Sequence, residues 1–200
     1  APPLLALGLH AAGLPYADAL FEAVSGCTTT GLTVLGDVEA APAAILFARA
    51  WMQWFGGLGI SILAVALITA PGIAARSLST NLEHNDLVGS TRARARALCL
   101  IFAVLTGTLF VFLILAGLGW FEALLYALTS LSTGGFAPRN GSLADFAFPL
   151  QLLIMLGGVA GAVPLAVYVY LRGKIWRNPL HRQQALALLI AVLLLTLLLG

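Results

Sequence analysis

The chain has 200 residues, of which 60% are hydrophobic and only 9% charged; its net charge is +2 and its mean hydropathy +1.00. A soluble domain carries about 25% charged residues, so this chain has too little charge to cover a water-facing surface. The composition points to a lipid bilayer rather than nucleic acid as its surroundings.

A spanning helix needs about 20 mostly apolar residues. The first apolar run, residues 2–12, is too short to span and has no basic region before it, so it does not read as a signal peptide; residues 4–14 read as the tail of a spanning helix. Pro15 breaks that run, and residues 16–27 form a second, short helical pattern of about three turns. It ends in the polar stretch Cys27-Thr28-Thr29-Thr30-Gly31-Leu32-Thr33. Residues 43–70 are the first full-length span. A basic connection follows, with Arg76, Arg92, Arg94 and Arg96. Residues 97–118 are a second span, broken at Gly117-Leu118-Gly119. Residues 120–131 are another short helical run, and Leu131-Ser132-Thr133-Gly134-Gly135-Phe136-Ala137 repeats the hydroxyl-glycine pattern. Residues 147–171 form a third span. A second basic connection holds Arg172, Lys174, Arg177 and Arg182, and residues 185–200 begin a fourth.

The charges sort by side. Positive residues concentrate in cytoplasmic loops, which places both basic connections inside. Topology alone explains Arg92, Arg94 and Arg96, although acidic lipid or a regulator could also meet them. Asp18, Glu22, Asp37, Glu39, Glu122 and Asp145 flank the short helices and lie on the opposite side. Trp51, Trp54, Trp120 and Trp176 are interfacial anchors or packing residues. His10, His84 and His181 are scattered and make no ligand set. Cys27 and Cys99 have no metal-ligand spacing and read as small buried residues. There is no nucleophile-base pair, metal cluster or phosphate loop, so an enzyme is not expected.

The two halves overlay. Gly13-Leu14-Pro15-Tyr16 matches Gly117-Leu118-Gly119-Trp120. Asp18-Ala19-Leu20 matches Glu122-Ala123-Leu124, and Thr28-Thr29-Thr30-Gly31-Leu32 matches Ser132-Thr133-Gly134-Gly135-Phe136. After a small length difference, Gly56-Gly57 is matched to Gly157-Gly158. Each unit therefore reads as spanning helix, half helix, loop, spanning helix, and both run in the same direction, which puts their shared axis along the membrane normal. Non-helical backbone survives in a bilayer only where protein buries it or where it lines a water-filled path. A half helix aimed by its C-terminal carbonyls at mid-membrane offers a cation negative potential. The loop after it can replace a hydration shell with backbone carbonyls. Gly31 and Gly135 supply the backbone freedom this requires, and Thr28, Thr29, Thr30, Ser132 and Thr133 add hydroxyls. Asp18, Glu22 and Glu122 either raise cation concentration at the mouth or favour the half-helix N-termini.

Arg49 lies about two turns into an apolar helix, where charge is costly. It is either a brace paired with Glu22 or a residue snorkelling to the outer interface. Gly56, Gly57 and Gly59 read as close-contact positions between helices.

These residues resemble the Trk/Ktr/HKT superfamily of potassium and sodium transporters. The signatures are Phe21-Glu22-Ala23-Val24-Ser25-Gly26-Cys27-Thr28-Thr29-Thr30-Gly31, Arg49-Ala50-Trp51-Met52-Gln53-Trp54-Phe55-Gly56-Gly57-Leu58-Gly59-Ile60 and Ser132-Thr133-Gly134-Gly135-Phe136. The resemblance implies a bacterial Trk-type membrane subunit with four repeats around one pore, each giving one filter glycine, here Gly31 and Gly135. It implies a filter at Thr28, Thr29, Thr30, Gly31 and Leu32 and at Ser132, Thr133, Gly134, Gly135 and Phe136, with potassium held at Thr30, Gly31, Gly134 and Gly135. It also implies a cytosolic nucleotide-binding regulatory subunit. Glycine at both filter positions is similar to potassium-selective relatives; the residues alone leave potassium and sodium, and channel-like and coupled transport, open.

The expected architecture is an all-α membrane protein of repeated helix–pore helix–filter loop–helix units around a pseudo-fourfold pore. Its parts are a first repeat over residues 1–75, a cytoplasmic connection over 76–96, a second repeat over 97–172, a cytoplasmic connection over 173–182 and the start of a third repeat over 183–200. The expected function is monovalent-cation uptake, with potassium the transported ion, in a multi-pass protein of the plasma membrane (the inner membrane of a bacterium). The alternative is a non-conducting membrane scaffold whose Gly and Thr residues only pack helices. Two loops cannot close a four-sided filter. The missing repeats are expected from the same polypeptide, or from a second copy; a homodimer is also expected.

Overall fold

The structure is a computed structural model that describes residues 2–77 and 84–163, with side chains for 2–63 and 95–163. Regular structure among the described residues is entirely helical: α1 (Pro2–Ala11), α2 (Tyr16–Cys27), α3 (Ala43–Ser77), α4 (His84–Leu115), α5 (Trp120–Leu131) and α6 (Phe148–Ala162). The two half helices fall where their apolar runs place them. Ala95–Leu115 is long and apolar enough to cross a membrane, with mean hydropathy 2.8. The basic connection expected over residues 76–96 differs from a plain loop, because α3 continues to Ser77 and α4 starts at His84. The end of the third span, the second basic connection and the fourth apolar stretch lie outside the described residues.

Helices α1, α2 and α3 pack into one unit, and α4, α5 and α6 into another. The units repeat down to the hydrogen bond. Gly13 N–H donates to His10 O at 2.9 Å and Gly117 N–H to Ile114 O at 2.9 Å; Ala19 N–H donates to Pro15 O at 2.8 Å and Ala123 N–H to Gly119 O at 2.8 Å. Both glycines take positive φ, +109° and +93°, which reverses the chain between each first helix and its half helix. The cores correspond in the same way. Leu9, Leu14, Ala19 and Ala23 are buried together in the first unit, as are Leu113, Leu118, Ala123 and Ala127 in the second.

The units join through α3, which packs on α5 and α4. Ala50 meets Leu125 and Leu128, and Leu58 meets Leu98, Phe102 and Leu131. As a result α5 is covered on both faces and α2 on one. Leu125 and Leu128 are 2% and 3% exposed, whereas Phe21 and Val24, which occupy the same positions on α2, are both 43% exposed.

One alignment of the sequence analysis is corrected. Gly56 lies against the backbone carbonyl of Cys27, the last residue of α2. In the second unit the glycine against the carbonyl of Leu131, the last residue of α5, is Gly161 rather than Gly157. The connection after α5 is one residue longer (132–147 against 28–42), whereas the match to Gly157 requires a shorter one, so the closing helices align about one turn later than expected. Both contacts leave no room for a Cβ. Gly57 likewise sits against Ser132, but a Cβ at Gly59 meets nothing within 4 Å. Gly59 is therefore not a close-contact position among the described residues.

Substituting Gly56 by Ala should destabilise the protein by about 1–3 kcal/mol, the usual cost of overpacking, and Gly59→Ala should be close to neutral. Thermal denaturation of the two variants in detergent checks this; equal melting temperatures would refute the contact.

Candidate ion-conduction site

Each half helix ends in the same backbone device. Thr28 N–H donates to Val24 O and Ser132 N–H to Leu128 O; Thr29 N–H donates to Gly26 O and Thr133 N–H to Ser130 O; Thr30 N–H donates to Ser25 O and Gly134 N–H to Thr129 O, both at 2.9 Å. The next residues leave helical geometry in the same pattern. Thr29 and Thr133 both have φ +54°, and Gly31 and Gly135 have φ +80° and +79°. A threonine in the left-handed region costs on the order of 1 kcal/mol or more and persists only where the surroundings impose it.

The two loops meet. A Cβ on Gly31 would run into the carbonyl oxygen of Gly134 and lie 3.4 Å from the carbonyl carbon of Gly135. Among the described residues, no protein group donates to the carbonyls of Thr29, Thr30 and Gly31, nor to those of Thr133 and Gly135. Two other carbonyls of the expected filter are engaged. Leu32 O accepts from Ser25 Oγ at 2.6 Å, and Gly134 O accepts from Gln53 Nε2 at 2.7 Å. Hydrogen bonds therefore hold both of these oxygens to protein donors, one from each unit's own or neighbouring helix.

Arg49 does not snorkel. It is 2% exposed, Glu22 is fully buried, and Nε lies 2.7 Å from Glu22 Oε2. The other carboxylate oxygen of Glu22 accepts from Thr33 Oγ1 at 2.6 Å and from Val34 N–H at 2.7 Å. Glu22 thus joins its own half helix, the chain leaving the first loop, and α3. The Arg49 guanidinium lies 4.1 Å from the centre of the Phe136 ring, so it reaches the second loop as well. The second unit builds no copy of this pair. Tyr126 stands where Glu22 would be, with Ile154 beside it in the apolar core, and Tyr126 Oη donates to Ser142 O at 3.0 Å. Glu122 is instead held by Arg139 in a two-pronged pair at 2.7 and 3.0 Å, with the side chains 29% and 33% exposed. Asp18 and Glu122 both stand in the first turn of their half helices, where a negative charge is favoured.

Sequence reasoning missed two residues. Gln53 is fully buried and bonds the second loop twice, through Gly134 O and through Phe136 N–H, which donates to Oε1 at 3.2 Å. A buried amide one turn after Arg49 on an otherwise apolar helix was the available signal. Asn140 clasps the outer ends of the loops together. Its Oδ1 accepts from Val38 N–H at 2.8 Å, its Nδ2 donates to Asp37 Oδ1 at 2.8 Å, and its backbone N–H donates to Glu39 Oε1 at 3.1 Å. Nothing in the local pattern marks Asn140. An open cavity of about 240 Å³ beside the second loop is lined by Thr129, Ser130, Thr133, Gly135, Met155 and Gly158, among others. Among the described residues, no group of three or more His, Cys, Asp or Glu could hold a metal ion.

The fold and the paired loops define a helical membrane protein built of repeated pore units. The family model for TrkH, described as cation transport protein, matches residues 3–200, and the chain belongs to this family, which is one of transporters and not of enzymes. It is 38% identical over 149 residues to the Trk system potassium uptake protein TrkH of Halomonas elongata, covering 72% of this chain and 30% of that one. It is 32% identical over 180 residues to TrkH of Escherichia coli K12, covering 84% and 37%. It is 34% identical over 201 residues to the Trk system potassium uptake protein TrkI of Halomonas elongata, covering 97% and 40%. The crystal structure of the potassium transporter TrkH from Vibrio parahaemolyticus superposes with TM-score 0.69 at 30% identity, covering 84% of this chain and 36% of that one. The chain thus spans between 30% and 40% of the length of these relatives.

Two outcomes follow. Arg49→Leu strands a buried carboxylate, and should cost about 3–5 kcal/mol. Arg139→Leu breaks a partly exposed pair and should cost about 1 kcal/mol or less; chemical denaturation in detergent compares them. The Asp37 carboxyl is held below the usual carboxylate range, first by the Asn140 side chain and then by the Ala40 N–H. Its folded-state value lies below its unfolded one of about 4, so its contribution is fully present above that pH and is lost as pH falls through the folded value. The protection of the Glu39 and Ala40 amides, taken as exchange relative to the intrinsic rate at each pH, should therefore fall in acid, and an Asn140→Leu variant should show less of that change.

Proposed function

We propose that this chain supplies two pore-lining repeats of a membrane subunit for monovalent-cation uptake, with potassium as the transported ion. The observation that carries the reading is the meeting of two loops of the same backbone form, each leaving carbonyls without a protein donor among the described residues. Inside a bilayer such groups are costly unless something polar replaces water, and a partly dehydrated cation does so. The carbonyls of Thr29, Thr30, Gly31, Thr133 and Gly135 are the proposed ligands, with the hydroxyls of Thr28 and Ser132 bracing the turns below them. The C-terminal ends of α2 and α5 add negative potential. Potassium enters from the relatives, whose names describe potassium uptake.

The ring is proposed to close with further repeats, from the same polypeptide or from a second copy. The exposed Phe21 and Val24 support this, because the equivalent face of the second unit is covered by the outer helix of the unit before it. A homodimeric, multi-pass protein of the plasma membrane (the inner membrane of a bacterium), with a cytosolic nucleotide-binding regulatory subunit, completes the proposal. A scaffold that only packs helices is less favoured, since it gives the unpaired carbonyls no partner.

Gly31→Val places a side chain in a left-handed backbone and against Gly134. Gly135→Val is strained by its backbone alone, since a Cβ there meets nothing within 4 Å. In the full-length transporter both variants should reach the membrane and lose rubidium uptake, with Gly31→Val the more severe. Normal uptake by both would reject a filter at these positions. Stabilisation by potassium but not by a large organic cation, read as a melting shift in detergent, separates transport from scaffolding.

A further inference from the structure

The geometry points to Gln53 as the residue that sets cation selectivity at the second loop, by fixing the direction of the Gly135 carbonyl from the neighbouring repeat. This rests on the filter reading above and goes beyond it, because Gln53 touches no ion in that reading and belongs to the other unit.

The argument is one of peptide geometry. Gln53 bonds the two peptide groups that flank Gly135: its Nε2 donates to Gly134 O, and its Oε1 accepts from Phe136 N–H. Only one orientation of the amide satisfies a carbonyl and an N–H together. In a trans peptide the N–H and C=O point in opposite directions, and the described chain has no cis bond. Holding Phe136 N–H on Gln53 therefore aims Gly135 O away from α3, toward the open side of the loop. The same rule turns Gly134 O inward to α3. Burial follows the alternation, with Gly134 and Phe136 buried and Gly135 exposed.

The two loops differ where this device acts. The residue in the place of Gly134 in the first loop is Thr30, whose hydroxyl pairs with Thr28 Oγ1 at 2.7 Å. The second loop has no such pair, since Ser132 Oγ donates to Thr129 O instead. A Cβ at Gly134 would run into the Gln53 amide. Gln53 thus occupies the space of the side chain that the second loop lacks and replaces the tie that the first loop makes for itself. Arg49, one turn earlier on α3, lies over the Phe136 ring and closes the other side of the same loop.

The test uses the full-length transporter in cells that lack other potassium uptake, reading rubidium against sodium uptake and membrane abundance. Gln53→Leu keeps the volume and removes both hydrogen bonds. The rubidium-to-sodium ratio is expected to fall about tenfold, the effect of losing roughly one buried hydrogen bond's worth of alignment, while abundance holds. Gln53→Glu keeps the acceptor for Phe136 N–H and loses the donor to Gly134 O, and should fall between. An unchanged ratio in Gln53→Leu overturns the inference while leaving the filter reading intact. Failure of the unsubstituted transporter to take up rubidium overturns the filter reading itself. Where Gln53→Leu does not reach the membrane, the double variant Gln53→Ala with Gly134→Ala decides, because the new methyl enters the vacated space: a collapsed ratio supports the role and a retained ratio overturns it.

Discussion

Backbone that leaves helical form inside a low-dielectric slab must find partners for its N–H and C=O groups, and in this chain helix α3 supplies them for two loops at once. Arg49 holds the first loop through Glu22, which in turn holds Thr33 and Val34. Gln53 holds the second through Gly134 and Phe136. The two side chains are one turn apart, so a single helix face braces both loops. A buried ion pair is a poor source of stability against an apolar replacement. Its retention here is accounted for by what it positions.

The second unit shows what happens when that task is taken over from outside. Tyr126 and Ile154 replace the charged pair with an apolar contact, and the loop is braced by the preceding unit and by the Glu122–Arg139 pair on its rim. The repeats are thus alike in backbone and different in support. The hydrogen bonds at the helix ends and the φ values of Thr29 and Thr133 agree closely, while the side chains that enforce them do not. More than one set of braces thus holds the same backbone form.

Coverage is also asymmetric. Helix α5 has α3 on one face and its own unit on the other, and every residue from Leu125 to Thr129 is buried. Helix α2 has one covered face. The same half-helix design is therefore read in two environments within one chain, one covered and one open.

Much of this was legible in the residues. The low charge and the apolar runs gave a membrane protein. The breakers at Pro15 and Gly119 gave half helices with the bounds observed, and the repeated hydroxyl-glycine stretches placed the loops. These are local properties, carried by hydropathy, propensity and backbone freedom, and they need no partner to be read. Which loop carbonyls find a protein donor was not legible. Gly134 and Gly135 are adjacent identical residues, and only Gln53, arriving from 81 positions earlier, turns one inward and the other out. The same holds for Asn140, whose meaning comes from Asp37, Val38 and Glu39 over a hundred positions away, and for the register of Gly161, shifted by a single extra residue in the second connection. Hydrogen-bond direction depends on what stands opposite in space, and the tertiary structure alone supplies that.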